Sequence, residues 1–343
     1  MKRHLLTCLA GFAGALIATS VSAETIWRLS NWIPSTHPVV VDILQVWAKQ
    51  VETATEGRVK FQFVSALGAP PAHFDLVRNG VADVALIGPS YTPARFSLTR
   101  AAELPFLSDT SRASSLALSR AQEKFFAKAN EFQGVKLAGI WTHGPAHIFT
   151  IKVPVNSVAD IKGLKIRTAG GIADEVAQLA DASPFFAPAS QTYEVLSKGV
   201  ADGILFPAES IPGFRLETII RYGTLIKGGI YQLVHAVIIN QAKWDALSEA
   251  DKAAVDKVSG EAMTVMASTV WDRINAEGIA TMKKAGIQLH EASPAMMKDL
   301  QARYAGLLDA WYADAAKKDV DGKAAWAFIQ ETVRQVNSQA KAN

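Results

Sequence analysis

One arginine stands where an open α/β sheet usually receives its ligand. Between Asp160 and Gly171, Leu164 and Ile166 alternate with Lys165 as a short strand would, and Arg167 closes the run. Gly170 and Gly171 then open a stretch of helix formers. A guanidinium at the carboxyl end of a strand can hold a carboxylate bidentately in the crevice that such sheets leave there. The same side chain could instead be a surface group paired with Asp160 or Glu175. His143 and His147, in WTHGPAHIFT, could donate to ligand oxygens or simply bond backbone. Trp32, Tyr91, Trp141, Phe149 and Phe206 fall at or just after predicted strand ends, where an aromatic ring is either ligand wall or core.

Other chemistries are conceivable from residue types alone. His37, His73, His143 and His147 are candidate metal ligands. Pro145, however, prevents the helical face that a His143/His147 pair would need, and no acidic cluster accompanies them. No metal and no cofactor are therefore expected. Ser90, His143 and Asp83 or Asp202 could be drawn as a hydrolytic triad, but the nucleophile elbow G-x-S-x-G is missing. No catalytic residue is expected, and a periplasmic hydrolase stays as the alternative.

The elements that must position these residues are written twice. VRNGVADVALIGP, from Val77, and LSKGVADGILFPA, from Leu196, align Gly80 with Gly199 and Asp83 with Asp202, 119 residues apart. Each copy reads as a helix ended by a left-handed glycine, then a short apolar strand. The shared aspartate suggests a structural bond to a neighbouring turn. Strands are predicted at 26–31, 59–64, 81–87, 135–141, 164–167 and 200–206, alternating with helices, which indicates parallel sheets. Ser35 or Thr36 is the expected cap of the first helix. YQLVHAVIIN, Tyr231–Asn240, is apolar enough for a strand covered on both faces. From Ser248 to Gly286 the pattern is one long helix or two end to end, with possible bends at Gly260 and Gly278.

The first 23 residues form a charged start, an apolar core and the small-residue ending Val21-Ser22-Ala23, which reads as a secretory signal peptide and places the mature chain in the periplasm. The single cysteine, Cys8, lies within it, so the mature chain has no disulfide framework. Without Lys2 and Arg3 the 35 basic residues become 33 against 32 acidic ones, a net charge of +1. That balance gives no electrostatic case for nucleic acid or an anionic membrane. No later apolar run reaches the 18 residues or so that a span needs, so no membrane insertion is expected.

Taken in order, DIKGLKIRTAGG, PASQTYEVLSKGVADGILFP, ELPFL, the His37-Pro38 pair and VIINQAKWDAL resemble the solute-binding proteins of tripartite ATP-independent periplasmic (TRAP) transporters. The resemblance spans the mature chain. It implies an α/β, type II-like two-domain periplasmic binding protein, each domain a sheet flanked by helices, linked by crossing strands and a long helix. It implies no catalysis, an organic acid bound in the inter-domain cleft, and delivery to integral membrane subunits of the transporter. A binding protein of another importer or of a sensor would share this physics. Arg167 maps to the family's ligand-binding arginine, and Tyr193 falls within its helix-to-strand segment. The domains are expected at 24–147 plus about 235–262, and 148–234 plus about 263–343, with bends near 146–150 and 233–237. Two departures concern the ligand. Phe206 stands where the family often has asparagine, and His147 where a second arginine is common. Losing an amide and a fixed charge favours a monocarboxylate with an apolar or aromatic body over a dicarboxylate or sugar acid.

Overall fold

The computed structural model describes residues 24–342, so the expected signal peptide lies outside the described residues. Its strands are β1 Thr25–Ser30, β2 Val59–Val64, β3 Val84–Ile87, β4 Val135–Thr142, β5 Ala146–Thr150, β6 Lys165–Thr168, β7 Ser183–Phe186, β8 Gly203–Pro207, β9 Tyr222–Leu225, β10 Val234–Asn240 and β11 Gln288–Glu291. They form a five-stranded sheet, β2-β1-β3-β10-β4, and a six-stranded sheet, β11-β9-β5-β8-β6-β7. From β2 and from β7 respectively, the two orders follow one plan, with β1 matched by β6, β3 by β8, β10 by β5 and β4 by β9.

The repeat seen in the sequence is this duplication. Gly80 and Gly199 both have positive φ, 75° and 66°, and each turns the chain from a helix into β3 or β8. The following aspartates do the same work in each half. Asp83 accepts the backbone N–H of Arg28 in β1 at 2.8 Å, and Asp202 that of Lys165 in β6 at 2.9 Å. Each ties the entry of its own strand, β3 or β8, to the neighbouring parallel strand.

The sheets are mixed, which corrects the expectation of parallel ones. β1 runs parallel to β2 and β3, and β6 to β7 and β8, whereas β10 and β5 run antiparallel to their neighbours. β10 and β5 are the strands that arrive from the other half rather than through a helical crossover within the sheet. β10 lies inside its sheet with all seven residues buried, as its unbroken apolar run requires. The chain leaves the first sheet at Thr142 and enters the second at Ala146. It returns between Leu225 and Val234. The crossings are therefore His143–Pro145 and 226–233, and the segments where bends were expected are mostly strand.

One helix start also differs, and from Ser248 the structure takes the second of the two expected forms, two helices end to end. Neither Ser35 nor Thr36 caps the first helix, which begins after Pro38 as a wide turn over Val39–Leu44 with no side-chain cap. The pattern from Ser248 is split. Ser248 caps a helix over Glu249–Lys257, Gly260 at φ 57° turns the chain, and a second helix runs over Glu261–Lys284. At 1.5 Å per residue the second is about 36 Å long. Gly278 is not a bend. A Cβ there would sit 2.6 Å from the carbonyl oxygen of Ala208, so glycine lets this helix approach the segment after β8. Alanine in a helix interior is ordinarily about 1 kcal/mol better than glycine. Here the obstacle is rigid backbone, so we expect Gly278→Ala to lose about 1–3 kcal/mol, read as a lower melting temperature.

Candidate functional site

Residues just past the carboxyl ends of five strands line one cavity of about 40 Å³. Trp32 and Ile33 follow β1, Tyr91 follows β3, Ala169 follows β6, Ala189 follows β7, and Phe206 and Glu209 lie at and beyond the end of β8. His143 after β4, His235 near the start of β10 and Trp271 of the long helix complete it. This is the place where open sheets with parallel crossovers receive ligands.

Arg167 lies just behind the wall. It is fully buried, and its guanidinium carbon sits 4.9 Å from the centre of the Phe206 ring. Nε donates to the Ala187 carbonyl at 2.9 Å, and Nη2 donates to the same oxygen. Nη1 has no partner among the described residues. Burial pushes the arginine pKa down, an effect opposed by the nearby Tyr91 and Tyr231 hydroxyls. The surface pairing considered for Arg167 is not formed: Glu175 pairs with Arg100, and Asp160 caps its own turn. The Arg100–Glu175 pair joins a segment of the first half to a helix of the second, and the Tyr91 hydroxyl accepts the Ala189 N–H at 3.4 Å.

Of the other expected site residues, the structure brings Trp32, Tyr91, Phe206 and His143 to the cavity. The rings of Trp32 and Tyr91 meet edge to face at 5.8 Å. His143 presents only its ring, because both nitrogens are used. Nδ1 donates to the Gly144 carbonyl, and Nε2 accepts the Leu233 N–H at 3.0 Å. Burial pushes its pKa down to about 3. His147 is not at the cavity: it lies in β5 and accepts the Ile226 N–H at 3.0 Å through Nδ1, with its pKa pushed down to about 4 by burial. His143 ties the first crossing to the end of the second, and His147 ties β5 to its start. Trp141 is fully buried behind His235, its ring stacked on the imidazole at 6.4 Å. Phe149 is core beneath β5. Tyr193 is 48% exposed on the short helix Thr192–Ser197 and does not line the cavity.

No triad assembles. Ser90 donates to the buried carboxyl of Glu103, which also accepts the Val234 N–H at 3.0 Å and which burial raises to about 7. Among the described residues no group of three or more His, Cys, Asp and Glu could hold a metal ion, and no helix is long and apolar enough to cross a membrane.

Sequence reasoning missed His235, Glu209, Phe214 and Trp271 as cavity residues, and read His37 as a possible metal ligand and as part of the family's His-Pro pair, not as cavity lining. Nε2 of His37 lies 3.2 Å from Glu209 within the cavity wall. One signal was available: a histidine inside the apolar run of β10 must either find a partner or face a polar space.

Residues 29–315 match the family described as bacterial extracellular solute-binding protein, family 7. The chain is 29% identical over 325 residues to the outer membrane transporter protein TsaT of Comamonas testosteroni, covering 94% of this chain and 96% of that one. It is similar to a solved TRAP periplasmic solute-binding protein from Bordetella bronchiseptica with bound (R)- and (S)-mandelate, at 40% identity and TM-score 0.89, over 91% of this chain and 100% of that one. It is also similar to a TRAP solute-binding protein of an unidentified marine microbe, specific for aromatic acid ligands and solved with 3-hydroxybenzoate. There the identity is 27% and the TM-score 0.86, over 92% and 99% of the two chains.

Proposed function

Because the chain belongs to the family-7 bacterial extracellular solute-binding proteins, the receptors of TRAP transporters, we propose that it captures an aromatic monocarboxylate in this cavity and delivers it to the transporter's membrane subunits. The site of capture is the periplasm, and the protein performs no chemistry on its cargo. The observation that carries this reading is the buried Arg167, a cation with one N–H group, Nη1, unpartnered among the described residues and aromatic rings against it. A buried charge without a counterion is costly, and a carboxylate that reaches Nη1 removes that cost. Phe206, Tyr91, Trp32 and Phe214 supply flat apolar walls for a ring. The site holds one such cation, which suits one carboxylate. The neutral His147 does not replace the fixed charge of a second arginine, and it faces elsewhere.

A thermal-shift screen of the mature protein tests this. Benzoate, phenylacetate and mandelate are compared with succinate and a sugar acid. Ligand at a hundred times its Kd adds about 2.7 kcal/mol of stability, so a binding aromatic acid gives a clear rise in Tm. A rise with succinate or the sugar acid alone would discard the aromatic monocarboxylate and leave the transporter role standing.

A further inference from the structure

The cavity has a second polar pole, away from Arg167. His235 is 7% exposed and its Nδ1 has no hydrogen-bond partner among the described residues; the same holds for Nε1 of Trp32 and of Trp271. All three line the cavity, with the imidazole stacked on Trp32 at 6.2 Å and tilted against Trp271 at 5.6 Å. Beside them is Glu209, 4% exposed. Its Oε1 accepts from the Ser210 hydroxyl, and its Oε2 lies 3.2 Å from His37 Nε2 without the alignment of a hydrogen bond. His37 Nδ1 accepts the Val39 N–H, so a proton sits on Nε2, facing the carboxylate. Arg167, by contrast, adjoins Phe206 and Tyr91, and Phe206 in turn adjoins Phe214, whose ring lies 5.6 Å from that of His37. A row of rings thus separates the cation from the acceptor.

We infer that this pole, built from Glu209, His235, Trp32 and Trp271, takes a hydroxyl group on the aromatic ring of the cargo. The inference rests on the proposed function and narrows it to ring-hydroxylated aromatic acids. Its logic is donor and acceptor matching. The two indoles only donate, the Glu209 carboxylate only accepts, and the neutral His235 Nδ1 does either according to its tautomer. A hydroxyl is the smallest group that both donates and accepts, so it satisfies both kinds of wall. A second carboxylate would be set against Glu209 with no cation to receive it, because burial holds His235 neutral, its pKa pushed down to about 4. An ammonium would suit Glu209 and be repelled by the indole N–H groups. A bare ring leaves His235 Nδ1 and the indole Nε1 of Trp32 and of Trp271 buried and unpaired, which is the arrangement by which sites reject analogues lacking a hydroxyl.

The test is calorimetric titration of phenylacetate, mandelate, and 3- and 4-hydroxyphenylacetate into the mature wild-type protein, the Glu209→Gln variant and the His235→Phe variant. Melting curves without ligand accompany them to verify folding. In the wild type, at least one ring-hydroxylated acid is expected to bind 30-fold or more tighter than phenylacetate. Glu209→Gln keeps the shape and removes the charged acceptor; His235→Phe keeps the ring and removes Nδ1. Each is expected to cut that ratio to below fivefold, both acids being titrated into the same variant. Equal binding of phenylacetate and the ring-hydroxylated acids, a preference confined to mandelate, or a ratio unchanged in both variants overturns the hydroxyl subsite and leaves aromatic-acid capture intact. Failure of all four acids to bind wild type overturns the proposed function, and the subsite with it.

Discussion

Arg167→Met is expected to abolish tight carboxylate binding while leaving a folded protein. Methionine has nearly the arginine's length, so the change removes charge and donors more than volume. A carboxylate entering the variant cavity is desolvated with no counter-charge, and breaking a buried pair in this way costs about 3–5 kcal/mol. Affinity then falls on the order of 10² to 10⁴-fold. Ligand-free stability should respond very differently. The substitution strands the Ala187 carbonyl that Nε and Nη2 now bond, at about 1–3 kcal/mol. It also releases the desolvation cost of a fully buried cation, which is at least as large. We therefore expect melting without ligand to stay within about 2 kcal/mol of wild type. Arg167→Lys should be intermediate in binding, since an ammonium keeps the charge and loses the planar fork. Titration calorimetry of benzoate or mandelate on the three proteins decides the matter. Affinity in the methionine variant within threefold of wild type would remove Arg167 from the site.

Tyr91 and Trp32 were legible from strand ends, where a two-residue period closed by glycine or proline marks side chains presented to a ligand, whereas Arg167 and Phe206 were singled out at such ends by the family resemblance. The repeat made the aspartates legible too, since chemistry confined to one site would not need Asp83 and Asp202 in both halves. What was not legible depends on tertiary docking. Trp271 and Glu209 come together because the long helix closes on the segment after β8 at Gly278, a contact with no local pattern. β7, β9 and β11, Ser-Pro-Phe-Phe, Tyr-Gly-Thr-Leu and Gln-Leu-His-Glu, lack the apolar alternation that made the equally short β6 readable, and Pro184 in β7 argues against a strand. His143 and His147 could not be told apart by type or spacing. Their roles follow from which backbone N–H groups the second crossing brings to them.

Those crossing histidines lead to the second large effect, a loss of stability on mild acidification. His143, His147 and His235 are buried and neutral, with pKa values pushed down by burial to about 3, 4 and 4 from 6.5; His73 is shifted in the same direction. Below pH 6.5 the unfolded chain binds these protons and the folded chain does not, so stability falls with pH across the window from 6.5 to about 4. Each of the three costs about 1.4 kcal/mol per pH unit there. Glu103 acts in the opposite sense. Its folded pKa of about 7 lies above the ordinary 4.5, so between those values the folded state holds the extra proton and gains stability as pH falls. Three groups outweigh one, and the net loss between pH 7 and pH 5 comes to roughly 3 kcal/mol, a large share of a typical 5–15 kcal/mol. Denaturant melts at pH 7, 6 and 5 read this directly. His147→Gln, whose amide oxygen can still accept the Ile226 N–H, should flatten the profile by about one proton, and Glu103→Gln should steepen it by a similar amount. Constant or rising stability toward pH 5 in the wild type would contradict neutral histidines at the crossings. The physical consequence of protonating His143 or His147 is specific: each loses the lone pair that accepts a backbone N–H of the returning segment, so acid loosens that segment from the first crossing and from β5.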